Sequence, residues 1–254
     1  MRRLLIVGMG LAALLALAGC GEGGALDRLA AGETGEVASV ASGDEISLDN
    51  GLQVRLAGVE TPWMDEPGGP GAQADLSRLV LGHAVQLFYG GARRDPRGRA
   101  LAQVRLVDGR VWVEGRLLRD GWARVRTFAD NRALNAAMLN DEARARKARL
   151  GLWAMPDYEV RLPQEVTRDI RGYQIVEGRV ASVTAARGGT YLDFSKDHSG
   201  FAAVIDPKAM GDLTAAGMAP PSLTGRLIRV RGMIGWDGQM RIDHPEPIEL
   251  LTDR

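Results

Sequence analysis

Residues 53–63, QVRLAGVETPW, hold one arginine, Arg55, in an alternating apolar run that ends in Glu60, Thr61, Pro62 and Trp63. A strand that keeps an arginine and ends in a carboxylate forms one wall of a charged site. A guanidinium grips carboxylate or phosphate through paired donors, and a carboxylate holds cations or protons. Two other segments carry the same chemistry: Ser42-Gly43-Asp44-Glu45, and RRDPRGRA at 93–100 with Arg93, Arg94, Arg97 and Arg99. Four arginines in one turn either steer a polyanion or lie in solvent. Trp63 either stacks on a base or fills its own loop.

These residues need strands to hold them. From Glu36 to Val59 the apolar period is two, and Asp49-Asn50-Gly51 breaks it as a hairpin turn. A three-residue loop with Gly51 left-handed puts Leu48 opposite Leu52 and Ile46 opposite Val54. That register keeps one face apolar and sets Glu45 opposite Arg55, where a simple cross-strand ion pair is the plainer alternative to a site. Further on, AQADLSRLVLG has helical spacing, AVQLFYG and LAQVRLV read as strands, and VWVEGRLLRDG is a short helix stopped by Gly121. ALNAAMLNDEARARKARLG is a longer helix stopped by Gly151. MPDYEVRLPQE, with two prolines, reads as a linker. Five strand patterns follow: YQIVEGRVASV, TYLDFS, FAAVID, RLIRVRGMIGW and MRIDHPEPIELL. They suggest a second small barrel able to fold by itself.

The chain has 254 residues, is 45% hydrophobic and has a formal charge of +0. A sizeable core is therefore expected, and no global basic field points to nucleic acid, so an anion site has to be local. MRR followed by a short apolar run reads as a signal peptide, too short for a comfortable membrane span. The run ends in LAGC. Cys20 is the single cysteine, which rules out an intrachain disulfide. The tetrapeptide resembles a bacterial lipobox, which implies acylation of Cys20 and attachment to a lipid bilayer. Gly21, where an aspartate would retain such a protein at the inner membrane, implies the outer membrane, facing the periplasm. Residues 21–33 then read as a tether.

Residues 36–154 resemble the thermonuclease (staphylococcal nuclease-like) family. The resemblance rests on order: a strand, SGDE, the Arg55 strand, ETP, a helix, a strand, DPRGR, a strand, VEGRLLRDGWARV, and a closing helix ending in GLW. It implies an α+β fold, a five-stranded OB barrel with three helices, and calcium-dependent cleavage of DNA or RNA. It implies Asp44, Glu60 and the Thr61 carbonyl as calcium ligands, and Arg55 and Arg99 on the phosphate. The pattern departs from the family at Glu60 for aspartate, at SGDE for DGDT, and at Trp63 for the glutamate proposed as general base. Asp65, Glu66 and Glu45 are the acids near enough to substitute.

The expected organisation is a signal peptide at 1–19, lipidated Cys20 and tether at 20–35, and a thermonuclease-like domain at 36–154. A linker at 155–170 and an OB-like β-barrel domain at 171–254 follow. Two functions stay open: a calcium-dependent nuclease weakened by Trp63, and a non-catalytic nucleic-acid-binding or envelope-interaction module on the same fold.

Overall fold

The computed structural model describes residues 24–198 and 200–252, so the signal-peptide and Cys20 expectations lie outside the described residues. The first half holds seven strands and three helices. They are β1 (Ala30–Ser42), β2 (Glu45–Leu48), β3 (Gln53–Leu56), β4 (Val59–Glu60), α1 (Gly69–Val80), β5 (Ala84–Tyr89), β6 (Ala100–Leu106), α2 (Val113–Asp120), β7 (Arg124–Val125) and α3 (Asn135–Lys147).

Five of these strands close a barrel in the order β1-β2-β3-β6-β5. β1 is long enough to serve two neighbours: residues 30–36 pair with β5 and residues 37–42 with β2. Register shifts along both ladders bend it round the corner. β3 and β6 pair in parallel. The hairpin has the register that the apolar pattern requires, with Ile46 opposite Val54 and Glu45 opposite Arg55. Val54 and Leu56 are buried in the barrel, so Arg55, on the alternate face, points away from the core. Helix α1 begins at Gly69, three residues before the AQADLSRLVLG run with helical spacing, because a left-handed Gly68 opens it and a proline occupies its first turn.

One carboxyl lies wholly inside this half. Glu114 is fully buried, and both of its oxygens accept from the Val104 amide at 3.1 and 3.0 Å. Burial pushes its pKa up to about 8 against those hydrogen bonds, which leaves it protonated at neutral pH.

The second half holds β8 (Gly172–Arg179), β9 (Ser182–Ala186), β10 (Gly189–Asp193), β11 (Ala202–Ile205), α4 (Met210–Ala215), β12 (Leu227–Ile234), β13 (Gln239–Ile242) and β14 (Ile248–Leu250). β8 pairs β12, β9 pairs β10, β10 pairs β11, β11 pairs β13 in parallel, and β13 pairs β12. β8 and β9 are two halves of one bent strand. The Val180 amide still bonds across to Arg226 (3.0 Å), and the Ala181 amide turns to Asp193 (2.8 Å). Taken as one strand they close the circuit in the same order as the first barrel, with a helix again between the third and fourth strands. The run MRIDHPEPIELL, expected as one strand, is split into β13 and β14 around Pro245 and Pro247.

Two expectations require correction. The tether is shorter than 20–35, because Leu26 is fully buried in the first core and β1 already begins at Ala30. Residues 155–170 are not a loose linker. The Tyr158 hydroxyl donates to the Pro67 carbonyl, and Arg161 exchanges backbone bonds with Ile175 and Glu177, extending the second sheet.

The second barrel does not stand apart either. Arg231 of β12 is buried and reaches Glu142 of α3 at 3.0 and 2.9 Å, and Glu142 also accepts from the Val125 amide at 2.9 Å. Tyr173 donates to the Val125 carbonyl, while Arg124 donates to the Tyr173 carbonyl at 2.9 Å. Ala145, Trp153, Tyr173 and Ile175 form an apolar cluster from both halves. A charged side chain of one barrel neutralised inside the other makes the pair a single packed body. Among the described residues no helix is long and apolar enough to cross a membrane.

Candidate active site

A cleft of about 730 Å³ opens beside the first barrel where β2, β3, the turn after β4 and the 93–99 turn converge. Asp44, Arg55, Glu60, Thr61 and Arg99 all line it.

The SGDE turn places Asp44. Gly43 packs so closely on the segment after β4 that a Cβ there would lie 2.9 Å from Thr61 and 2.7 Å from Ala72. Any side chain would push Asp44 away from Thr61. Ser42, where the family pattern has an acid, donates its hydroxyl to Asp44 at 2.8 Å and fixes that carboxylate.

Arg55 spans the site. Its Nη1 donates to the Leu56 and Val59 carbonyls at 3.0 and 3.1 Å and lies 2.9 Å from Asp44. Its Nη2 lies 3.3 Å from Glu60. Only a planar fork with donors on both ends makes all four contacts. The cross-strand pair with Glu45 does not form, although the backbone register is the expected one. Glu45 instead pairs with Arg99, whose guanidinium also meets Asp95 at 2.6 Å. Asp95 organises the DPRGR turn by accepting from the amides of Arg97 and Arg99 at 2.9 and 3.0 Å. Burial raises the Asp95 pKa, but the Arg99 donors and charge more than offset it and hold this carboxyl below its ordinary value.

Arg126, which no sequence pattern singles out, lies 2.8 Å from the same Glu60 oxygen that Arg55 approaches. In WARVRT, Arg124 and Arg126 alternate around Val125, and β7 pairs with β4 with Glu60 opposite Arg124. Arg124 turns inward between the rings of Tyr158 and Tyr173, 4.9 Å from each. Arg126 turns to the cleft. Neither position is legible until β7 is known to lie beside β4.

Trp63 is 65% exposed and lines the cleft with Pro62 and Met64. Its ring does not fill the loop; it forms one wall of the site. Glu66 is occupied with its carboxylate on the Trp63 amide at 2.8 Å, which locks the turn. Asp65 lines the cleft. In the arginine-rich turn, Arg94 pairs with Glu33 at 3.1 Å, Arg93 lies over the Tyr89 ring, and Arg97 lines the cleft.

Asp44, Glu60 and the carbonyl of Thr61 are hard oxygen donors, and a single guanidinium spans the two carboxylates. That chemistry fits calcium completed by water. Among the described residues no cluster of three or more His, Cys, Asp or Glu could hold a metal ion. Six carboxylates and five guanidinium groups line the cleft. It is dense in charge yet close to balanced.

Residues 53–155 match the family model for Staphylococcal nuclease homologue. Together with the closed barrel, this makes that part of the chain a thermonuclease-like domain with a nuclease-type OB fold. A comparison with curated proteins finds no match for the chain.

Proposed function

We propose that the cleft hydrolyses phosphodiester bonds of nucleic acid with the help of calcium. The observation that carries this reading is the convergence of Asp44, Glu60, Arg55 and Arg99 on one cleft walled by Pro62, Trp63 and Met64. A structural barrel has no need of that set.

Arg55 and Arg99 bind the phosphate oxygens and neutralise the charge that builds as water attacks phosphorus. The apolar wall holds a base or sugar beside them. Adding a phosphodiester to a cleft that already holds more acids than guanidinium groups calls for a cation. Calcium held by Asp44, Glu60 and the Thr61 carbonyl would supply that charge and polarise the phosphate. Trp63 cannot take a proton, and Glu66 is committed to the backbone. Asp65, which lines the cleft, would orient a water and accept its proton. An improvised base costs about 10²–10⁴-fold in rate. Purified chain should cleave plasmid and RNA slowly when calcium is present and stop with chelator. An absence of cleavage under all conditions defeats the enzyme reading.

One observation favours a second reading, a binding module: both candidate ligand carboxylates are already neutralised by Arg55 and Arg126. Binding of oligonucleotide without cleavage is its signature.

We also propose that the protein is exported and anchored to a bilayer, at the outer membrane facing the periplasm, through acylated Cys20. The support is the apolar run ending in LAGC. Cys20→Ser should move the protein from the membrane to the soluble fraction. An unchanged distribution, with no acyl group by mass spectrometry, removes the anchor.

A further inference from the structure

A second cleft, about 640 Å³, lies where the two barrels meet. Arg126 and Phe128 line both this cleft and the candidate active site, so the two clefts adjoin. The turn between β12 and β13, which lines the second cleft, carries Trp236, which is 91% exposed. The turn is held by its own backbone, with the Gly235 amide on the Gln239 carbonyl at 3.0 Å and the Gly238 amide on Gly235 at 3.1 Å. The indole is thus presented outward on a tight hairpin.

An almost fully exposed indole on a tight turn offers a flat face on which a ligand ring can stack. The Arg171 guanidinium lies 5.2 Å from the ring centroid and donates to the Ile170 carbonyl at 2.8 Å, and among the described residues it forms no ion pair; Asp237, next to the indole, pairs with Arg241 at 3.6 Å. A flat ring beside a cation without a counterion suits a base stacked on the ring with its phosphate on the guanidinium. The fold supplies an independent argument. With β8 and β9 as the first strand of the second barrel, Trp236 sits between its fourth and fifth strands. Arg241 ties β13 to the turn between the first and second by donating to the Gly188 carbonyl at 3.2 Å. Those two turns frame the ligand face of an OB barrel.

We propose that the second barrel is a single-stranded nucleic-acid platform. It extends the active-site cleft through Arg126 and Phe128 and stacks a base on Trp236 beside Arg171. This rests on the nucleic-acid reading of the first cleft and adds that substrates are single strands long enough to span both barrels.

Fluorescence anisotropy of the full chain, with chelator present so that nothing is cut, tests it. The probes are labelled oligothymidylates of about 4 and about 16 nucleotides. Trp236→Ala should weaken the longer probe by about tenfold and leave the shorter one unchanged, while Trp236→Phe should restore most of the loss. Arg55→Lys should weaken both. Unchanged affinity of Trp236→Ala for the longer probe, with Arg55→Lys still impaired, overturns the platform and leaves the cleft reading standing. A wild-type chain that binds neither probe overturns both. Loss of co-sedimentation with phosphatidylglycerol vesicles by Trp236→Ala, without any change in oligonucleotide affinity, assigns the indole to a lipid surface and overturns the platform.

Discussion

Arg55→Lys is expected to lower the rate of phosphodiester cleavage by about 10²–10³-fold, the loss typical of removing one donor aimed at developing charge. Lysine keeps the positive charge, so the change separates charge from geometry. The guanidinium reaches two carbonyls and two carboxylates from a single plane, with Asp44 at 2.9 Å and Glu60 at 3.3 Å. An ammonium group has three donors around one nitrogen and cannot span Asp44 and Glu60 while facing a phosphate. Arg126 still neutralises Glu60 in the variant, so the barrel should unfold close to the wild-type midpoint. The readouts are single-turnover cleavage with saturating calcium and a thermal melt of the same preparation. A lysine variant that cuts as fast as wild type removes Arg55 from the chemistry and leaves it as a strut for the Glu60 turn.

Arg231→Met should destabilise the whole chain by about 3–5 kcal/mol, the range for breaking a buried ion pair from one side. Glu142 is fully buried and keeps only the Val125 amide and Arg146, at 3.4 Å, once the guanidinium is gone. Burial pulls the Arg231 pKa down, but the charges of Glu142 and Glu249 more than restore it and hold the guanidinium charged. The loss is therefore that of an ion, not of a neutral donor. Arg231→Met with Glu142→Leu should recover much of it, since an apolar pair of similar volume carries no desolvation penalty. A double-mutant cycle from denaturant unfolding measures the coupling. Because this pair joins the barrels, the single variant should also split one cooperative transition into two. A loss under about 1 kcal/mol with a single transition would show that the apolar cluster and the Tyr173 and Arg124 hydrogen bonds hold the barrels together without this ion pair.

What the sequence determined is what period and spacing can carry. Alternation from Glu36 to Val59 fixed the hairpin register, because a slip of one residue would turn Ile46 and Val54 to solvent. Gly121, left-handed and directly after α2, marked that helix end. The family resemblance carried by the order of the charged motifs implied the barrel and the set Asp44, Arg55, Glu60, Thr61 and Arg99, and these five residues line one cleft. The tertiary structure decided partners. Glu45 stands opposite Arg55 along the backbone, yet side-chain reach and neighbouring strands sent Arg55 to Asp44 and Glu60, and Arg99 to Glu45. Arg126 joined the site through β7, whose two residues are too few to show a period. Arg231 is an ordinary outward-facing arginine by alternation, and only the packing of one barrel against the other buried it on Glu142. Long-range contacts of this kind depend on which surfaces meet after each barrel has closed, and no local pattern of residues encodes that meeting.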